Sequence, residues 1–262
     1  MLVRSYTGCA TTYVNVDTAT AAASAAGLAG IAPAVMTTDT ASGLIVMADL
    51  TESHKTATLA DLDSAERVAA LFAVRASVDT AQPKVAREMS VFDDISALHA
   101  LARRAGAAIP AEMAFLRRTL GDAEQRISAV GHDIVFRHGD GNLSNVMLAH
   151  DDDTPVLVDW DWSGLMDPLQ DVGVTLVELA DDENHARELF EIACGSIDES
   201  LFARAMIYGF ADHVRQAMVG ILVDALDPGT HEYSKYGDWQ LLRARMALSS
   251  NRCHELLRRI NA

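Results

Sequence analysis

The sequence predicts an α+β protein, with a small sheet-forming lobe over residues 1–50 and a mostly helical lobe over residues 51–262. Three observations predict it. Short apolar runs at residues 2–6, 34–37 and 44–48 have the length of strands. From residue 59 onward the apolar residues recur at helical spacing, as in Val91, Ile95, Leu98 and Leu101. Two short apolar runs, 145–149 and 155–159, flank a polar cluster at 150–154 and predict one β-hairpin inside the helical part.

The elements follow in order. Residues 2–6 form the first strand. An alanine-rich stretch, 19–28, is a small-residue helix ended by Gly30 and Pro33. Strands at 34–37 and 44–48 complete the small sheet. Helices are expected at 65–78 and 91–105, and a third with Pro110 near its first turn and Phe115, Leu116 and Leu120 on its apolar side. The hairpin region, 135–159, interrupts them. Helices at 172–179, 183–193, 201–225 and 239–260 finish the chain.

With 262 residues, the chain has material for one large domain or two intimate lobes. Half of its residues are hydrophobic and 22% are charged, which excludes a disordered chain. A net charge of −16 argues against a nucleic-acid partner and suits a cationic small molecule. Cys9, Cys194 and Cys253 have no metal-ligand spacing, and a reducing cytoplasm suits them. No run is apolar enough to predict a membrane span. The alanine run lacks the basic start of a signal peptide.

The informative stretch is Arg137-His138-Gly139-Asp140-Gly141-Asn142-Leu143-Ser144-Asn145, with Asp159-Trp160-Asp161 following fourteen residues after Asn145. A histidine two residues before an aspartate, then an asparagine five residues on, is the skeleton of a phosphoryl-transfer catalytic loop. If the turn is centred on Asp152, Asn145 and Asp159 face each other across the hairpin, with Cβ atoms roughly 4.5–5.5 Å apart. That separation would let an amide oxygen and a carboxylate share one Mg²⁺. Asp140, on the loop entering the first of these strands, could take a proton from a substrate hydroxyl. His138 is read as a hydrogen-bonding member of the catalytic loop.

This pattern, with Asp167-Pro168 and Asp171 after it, resembles the aminoglycoside phosphotransferase and choline/ethanolamine kinase superfamily. The resemblance implies a protein-kinase-like two-lobed fold and the use of ATP and Mg²⁺. It implies Asp140 as catalytic base and Asn145 and Asp159 as metal ligands, with Asp161 a metal or phosphate neighbour beside Trp160 and Asp171 structural. Arg4 resembles the choline-kinase arginine that stands in for a phosphate-binding lysine. The run 43–50, with Met47 and Asp49, is similar to the strand entering the hinge, whose backbone would meet adenine. Residues 232–239 resemble the start of a late helix of the family.

The small lobe departs from the pattern. Only three residues precede Arg4, no GxGxxG occurs, and Ala19 stands about where the helix glutamate is expected, with Asp17 the nearest acid. A shortened N-terminal lobe is therefore expected. The leading expectation is a kinase acting on a hydroxyl of a cationic acceptor, amino alcohols of the choline and ethanolamine type ahead of aminoglycosides. The second is a catalytically impaired relative, a nucleotide-binding or interaction module. Trp160, Trp162, Tyr233, Tyr236 and Trp239 are candidates for cation–π contacts. Asp212, His213 and Gln216 could line an acceptor pocket, and 181–183 reads as an acidic helix start.

Overall fold

The computed structural model describes residues 1–6, 8–229 and 232–260. The chain divides into two compact units, Met1–Glu88 with Ile134–Ile197, and Met89–Asp133 with Asp198–Ala262. The expected lobe boundary near residue 50 falls inside the first unit, and the end of the expected helical lobe, Asn261 and Ala262, lies outside the described residues.

The first unit begins with β1 (Leu2–Ser5), a single helical turn α1 (Ala10–Tyr13) and α2 (Val16–Leu28). Asn15 starts α2 by accepting a hydrogen bond from the Thr18 amide at 3.2 Å. Small Ala and Thr side chains form its buried face. β2 (Val35–Asp39) and β3 (Leu44–Met47) follow, and the sheet runs β1-β3-β2, all antiparallel, with Arg4 opposite Ile45. β4 (His54–Thr56) is a strand that the sequence reading missed, and α3 (Ala65–Ser77) comes next.

In the second unit, α4 (Val91–Arg104) carries a capping box in which Ser90 and Asp93 bond each other's backbone. α5 (Met113–Val130) begins three residues after Pro110, whose carbonyl accepts from the Met113 amide, so the proline lies just ahead of the helix's first turn.

The chain then re-enters the first unit through β5 (Val135–Arg137), β6 (Val146–Ala149), β7 (Pro155–Leu157) and β8 (Gly164–Met166). β6 and β7 form the expected hairpin, and β4 joins its other edge to give the order β4-β6-β7; β5 pairs with β8. α6 (Pro168–Leu179) starts four residues earlier than expected because Asp167 caps it, accepting from the Leu169 amide, and Pro168 is its first residue. α7 (Glu183–Cys194) ends at Gly195 in the left-handed region.

The rest of the second unit is α8 (Glu199–Leu226), α9 (Tyr233–Leu248) and α10 (Asn251–Arg259). The single helix expected at 239–260 is two, because Ser250 caps a new helix by accepting from the Cys253 amide. α8 is buried along nearly its whole length and packs against α4, α9 and α10. A side chain at Gly220 would stand 2.6 Å from the Gly237 backbone, so α8 and α9 approach too closely there for anything larger. Arg215, fully buried, is neutralised by Asp212 at 2.5 Å and Asp94 at 3.3 Å. Cys9, Cys194 and Cys253 are free thiols. No helix among the described residues is long and apolar enough to cross a membrane.

Candidate active site

The first unit brings the loop 138–145, the start of β6, the end of β7 and β1 to one place. His138 is fully buried. Its Nε2 lies 3.0 Å from the Val158 carbonyl and its Nδ1 3.3 Å from the Asp140 carbonyl. Burial, aided by nearby Arg75, holds the imidazole below its ordinary pKa. A neutral ring donates from one nitrogen at a time, and the Val158 contact is the shorter. The ring also meets Trp160 edge to face at 4.8 Å. His138 ties the loop to the segment after β7.

Asp140 is held at both oxygens. Oδ1 accepts the Asn142 amide at 2.9 Å and Oδ2 accepts Asn145 Nδ2 at 3.1 Å. Its carbonyl accepts Arg75 Nη2 at 2.8 Å. Gly139 and Gly141 are required. Gly139 has φ +77° and a Cβ there would lie 2.5 Å from the Trp162 carbonyl, while a Cβ at Gly141 would collide with the Val174 carbonyl of α6. The loop is thus clamped at its backbone, and the Asp140 carboxylate has a single orientation.

The hairpin register corrects one expectation. β6 and β7 pair Val146 with Leu157, which sets Asn145 opposite Val158, whose amide it accepts at 2.9 Å, and not opposite Asp159. The reason is the turn: Ala149 closes onto Thr154, so its centre lies between Asp151 and Asp152. Asp159 stands one residue beyond the pairing with φ +63°. Asn145 and Asp159 nevertheless line one cleft of about 310 Å³, together with Arg4, Met47, Asp49 and Met147.

Asp159 and Asp161 both hold Arg4. Nη1 donates to Asp159 Oδ1 at 2.9 Å and Nη2 to Asp161 Oδ2 at 2.7 Å, while the Tyr6 hydroxyl donates to Asp161 Oδ1 at 2.8 Å. Burial opposes the Arg4 charge, but the two carboxylates outweigh it and its pKa stands above the ordinary value. Burial and then the Asp159 charge push Asp161 up to about 7, against the pull of Arg4 and Tyr6.

Other expected residues are placed differently. The Asp49 carboxylate closes a turn on the Thr51 amide and hydroxyl, so its side chain serves the backbone. Trp160 is buried against His138; Trp162 lies under Arg87 at 5.4 Å and against Tyr13 at 6.1 Å, so neither indole face is open to a cationic ligand. Trp239 is exposed on α9. In the second unit Asp212 pairs with Arg215, His213 Nδ1 lies 3.2 Å from Gln240 Oε1, and Gln216 Oε1 accepts Tyr236 at 3.0 Å, all as helix packing. Asp182 caps α7 through the His185 amide, the helix-start reading of 181–183.

Sequence reasoning missed Tyr6 and Arg75. Two residues after Arg4 on an extended segment, Tyr6 shares its side, which period-two alternation could have flagged. Arg75 continues the apolar stripe Val68, Leu71 and Phe72 of α3, and a charge on such a stripe requires a buried partner.

This arrangement sets a glycine-flanked loop and two carboxylates on one guanidinium in an α+β chain. Residues 28–203, well over half the chain, match the phosphotransferase enzyme family, and the chain belongs to that family. Among solved structures it is similar to a choline/ethanolamine kinase family protein from Mesorhizobium loti, at 22% identity and TM-score 0.77, covering 95% of this chain and 83% of that one. It is similar to choline kinase LicA from Streptococcus pneumoniae at 16% identity and TM-score 0.79, covering 94% and 85%. Aminoglycoside phosphotransferase APH(3'')-Id from Streptomyces rimosus, solved with ADP and streptomycin, matches at 18% identity and TM-score 0.56, covering 78% and 84%. At these identities the likeness establishes the kinase-like fold. Comparison with curated proteins gives no match.

Proposed function

We propose that this phosphotransferase is an ATP- and Mg²⁺-dependent kinase that phosphorylates a hydroxyl of a cationic small molecule, with choline- and ethanolamine-like amino alcohols ahead of aminoglycosides. The observation that carries the proposal is the doubly held Asp140 beside a cleft to which Asn145 and Asp159 bring oxygen donors. The greater similarity in fold to choline kinases than to the aminoglycoside enzyme supports the order of acceptors.

The residues fit the metal. With Nδ2 given to Asp140, the Asn145 amide oxygen is the atom left for a cation, and Asp159 shows its carboxylate to the same cleft. Among the described residues no group of three or more His, Cys, Asp and Glu side chains could form a cage. A set of one carboxylate and one amide suits Mg²⁺, which keeps waters and shares phosphate oxygens. Bound there, Mg²⁺ would neutralise phosphate charge.

The chain's own residues do the rest. Asp140 orients the acceptor hydroxyl and takes its proton as the phosphoryl group leaves ATP. Arg4, bonded to Asp159, offers positive charge to the phosphates from the same cleft. Leu2, Pro33, Met47 and Met147 supply an apolar surface for the adenine, and a cleft of this volume is within the range of small-molecule sites. The acidic surplus of the chain, −16, draws a cationic acceptor.

The test is ATP-dependent phosphorylation of choline, ethanolamine and an aminoglycoside by the wild type and by Asp140→Ala and Asp140→Asn. Turnover should fall by about 10²–10⁴-fold in the variants while ATP still raises the melting temperature. Undiminished turnover in both would refute the role of Asp140. A wild type whose melting temperature responds to ATP but that phosphorylates none of the three would favour the binding-module reading.

A further inference from the structure

We infer that Asp161 and Tyr6 form a fixed seat for Arg4, filling the place of an acidic residue on α2, and that Asp159 is the exchangeable partner of that arginine. This deepens the reading above, in which Arg4 faces the nucleotide phosphates, and rests on it.

α2 cannot supply the partner. Its buried face is Thr18, Ala19, Thr20, Ala22, Ala23 and Ala26, and the one acid of its first turn, Asp17, makes no contact with Arg4. Both carboxylates on Arg4 come from the segment after β7. They are not equivalent. The Asp161 side chain is 12% exposed and engages both oxygens, one with Arg4 and one with the buried Tyr6. The Asp159 side chain is 37% exposed, gives Arg4 a single oxygen and lines the cleft. Tyr6 holds Arg4 a second way, with the guanidinium 4.6 Å from its ring centre. Arg4, Tyr6 and Asp161 thus make a closed set, while Asp159 faces the ligand.

Charge assigns the two acids their different work. With both acids ionised, two carboxylates against one guanidinium leave a net negative charge beside the place of the phosphates. A cation that takes Asp159 leaves Arg4 and Asp161 as a neutral, positioned pair. Asp161, 12% exposed and bonded at both oxygens, does not line the cleft, whereas Asp159 does, so a cation in the cleft meets Asp159 first.

The experiment measures ATP affinity by displacement of a fluorescent nucleotide, with Mg²⁺ and with EDTA, in the wild type, Arg4→Ala, Asp161→Asn, Asp159→Asn and the Arg4→Ala/Asp161→Asn double variant. Asp161→Asn should weaken ATP binding about tenfold with and without Mg²⁺, and should add nothing in the Arg4→Ala background. Asp159→Asn should lose the strengthening by Mg²⁺ and keep the metal-free affinity. The inference is overturned if Asp161→Asn behaves like Asp159→Asn, if it leaves ATP affinity unchanged while Arg4→Ala weakens it, or if its effect persists fully in the double variant. If Arg4→Ala itself binds ATP as the wild type does, the phosphate-facing reading of Arg4 fails first. Tyr6→Phe should reproduce a smaller part of the Asp161→Asn effect, and the inference loses Tyr6 if it does not.

Discussion

Arg75 and Asp171 meet as a buried, two-bonded ion pair, Nη2 to Oδ1 at 2.8 Å and Nε to Oδ2 at 3.1 Å, each side chain under 5% exposed. Each also holds the loop 138–145: Arg75 donates to the Asp140 carbonyl and Asp171 accepts the Gly139 amide at 2.7 Å. A partner removed from such a pair leaves an uncompensated buried charge. Asp171→Ala should therefore cost about 3–5 kcal/mol, read as a lower urea midpoint. Because the pair fixes the loop's backbone, turnover should fall in any protein that remains folded. An unchanged midpoint would show that the pair is not the clamp.

Gly141 gives a second expectation. A methyl group there has no space against the Val174 carbonyl, so α6 or the loop must move. Since Asp140 and Asn142 flank that position, Gly141→Ala should lower turnover by about tenfold or more while ATP affinity stays near the wild-type value, because misplacement of about 1 Å at a reacting group is that costly. Equal kcat values in wild type and variant would mean that the loop tolerates the shift.

The hairpin, the helical remainder and the nearness of Asp140 to Asn145 were legible in the sequence because each rests on local spacing. The register was not. A turn over 150–154 closes equally well, on composition, about Asp152 or one half-step earlier, and hydrogen bonding from Ala149 to Thr154 decides. The partners of Arg4 lie 155 and 157 residues away, beyond any periodicity. The small strand β4 is His-Lys-Thr, a sequence with no strand signature that is held by pairing with β6. Trp160 and Trp162 showed only that aromatics flank the acids. Their burial against His138 and Arg87 is set by tertiary packing.

Gly220 tests how the second unit is held together. α8 and α9 touch backbone to backbone where Gly220 meets Gly237, and a branched side chain would force the helices apart. Gly220→Val should destabilise by about 1–3 kcal/mol through overpacking, and hydrogen exchange should rise in α8 and α9. Exchange unchanged in both helices would show that the contact is dispensable.

His213 sets a pH dependence. Burial, then the positive charge of Arg243, push its pKa down to about 3, while its bond with Gln240 pulls the other way. In the unfolded chain its pKa is about 6.5. Between these values the unfolded state binds a proton that the native state refuses. Stability therefore rises with pH across that window and is lost as pH falls from about 6.5 toward 3. One proton corresponds to a slope of about 1.4 kcal/mol per pH unit. His138, also held neutral by burial, acts in the same direction, so the wild-type curve contains both histidines. Urea midpoints of the wild type and His213→Gln, taken from pH 7 to pH 4.5, should diverge: the variant should lose less stability on acidification. Parallel curves would show that His213 takes up its proton in the folded protein.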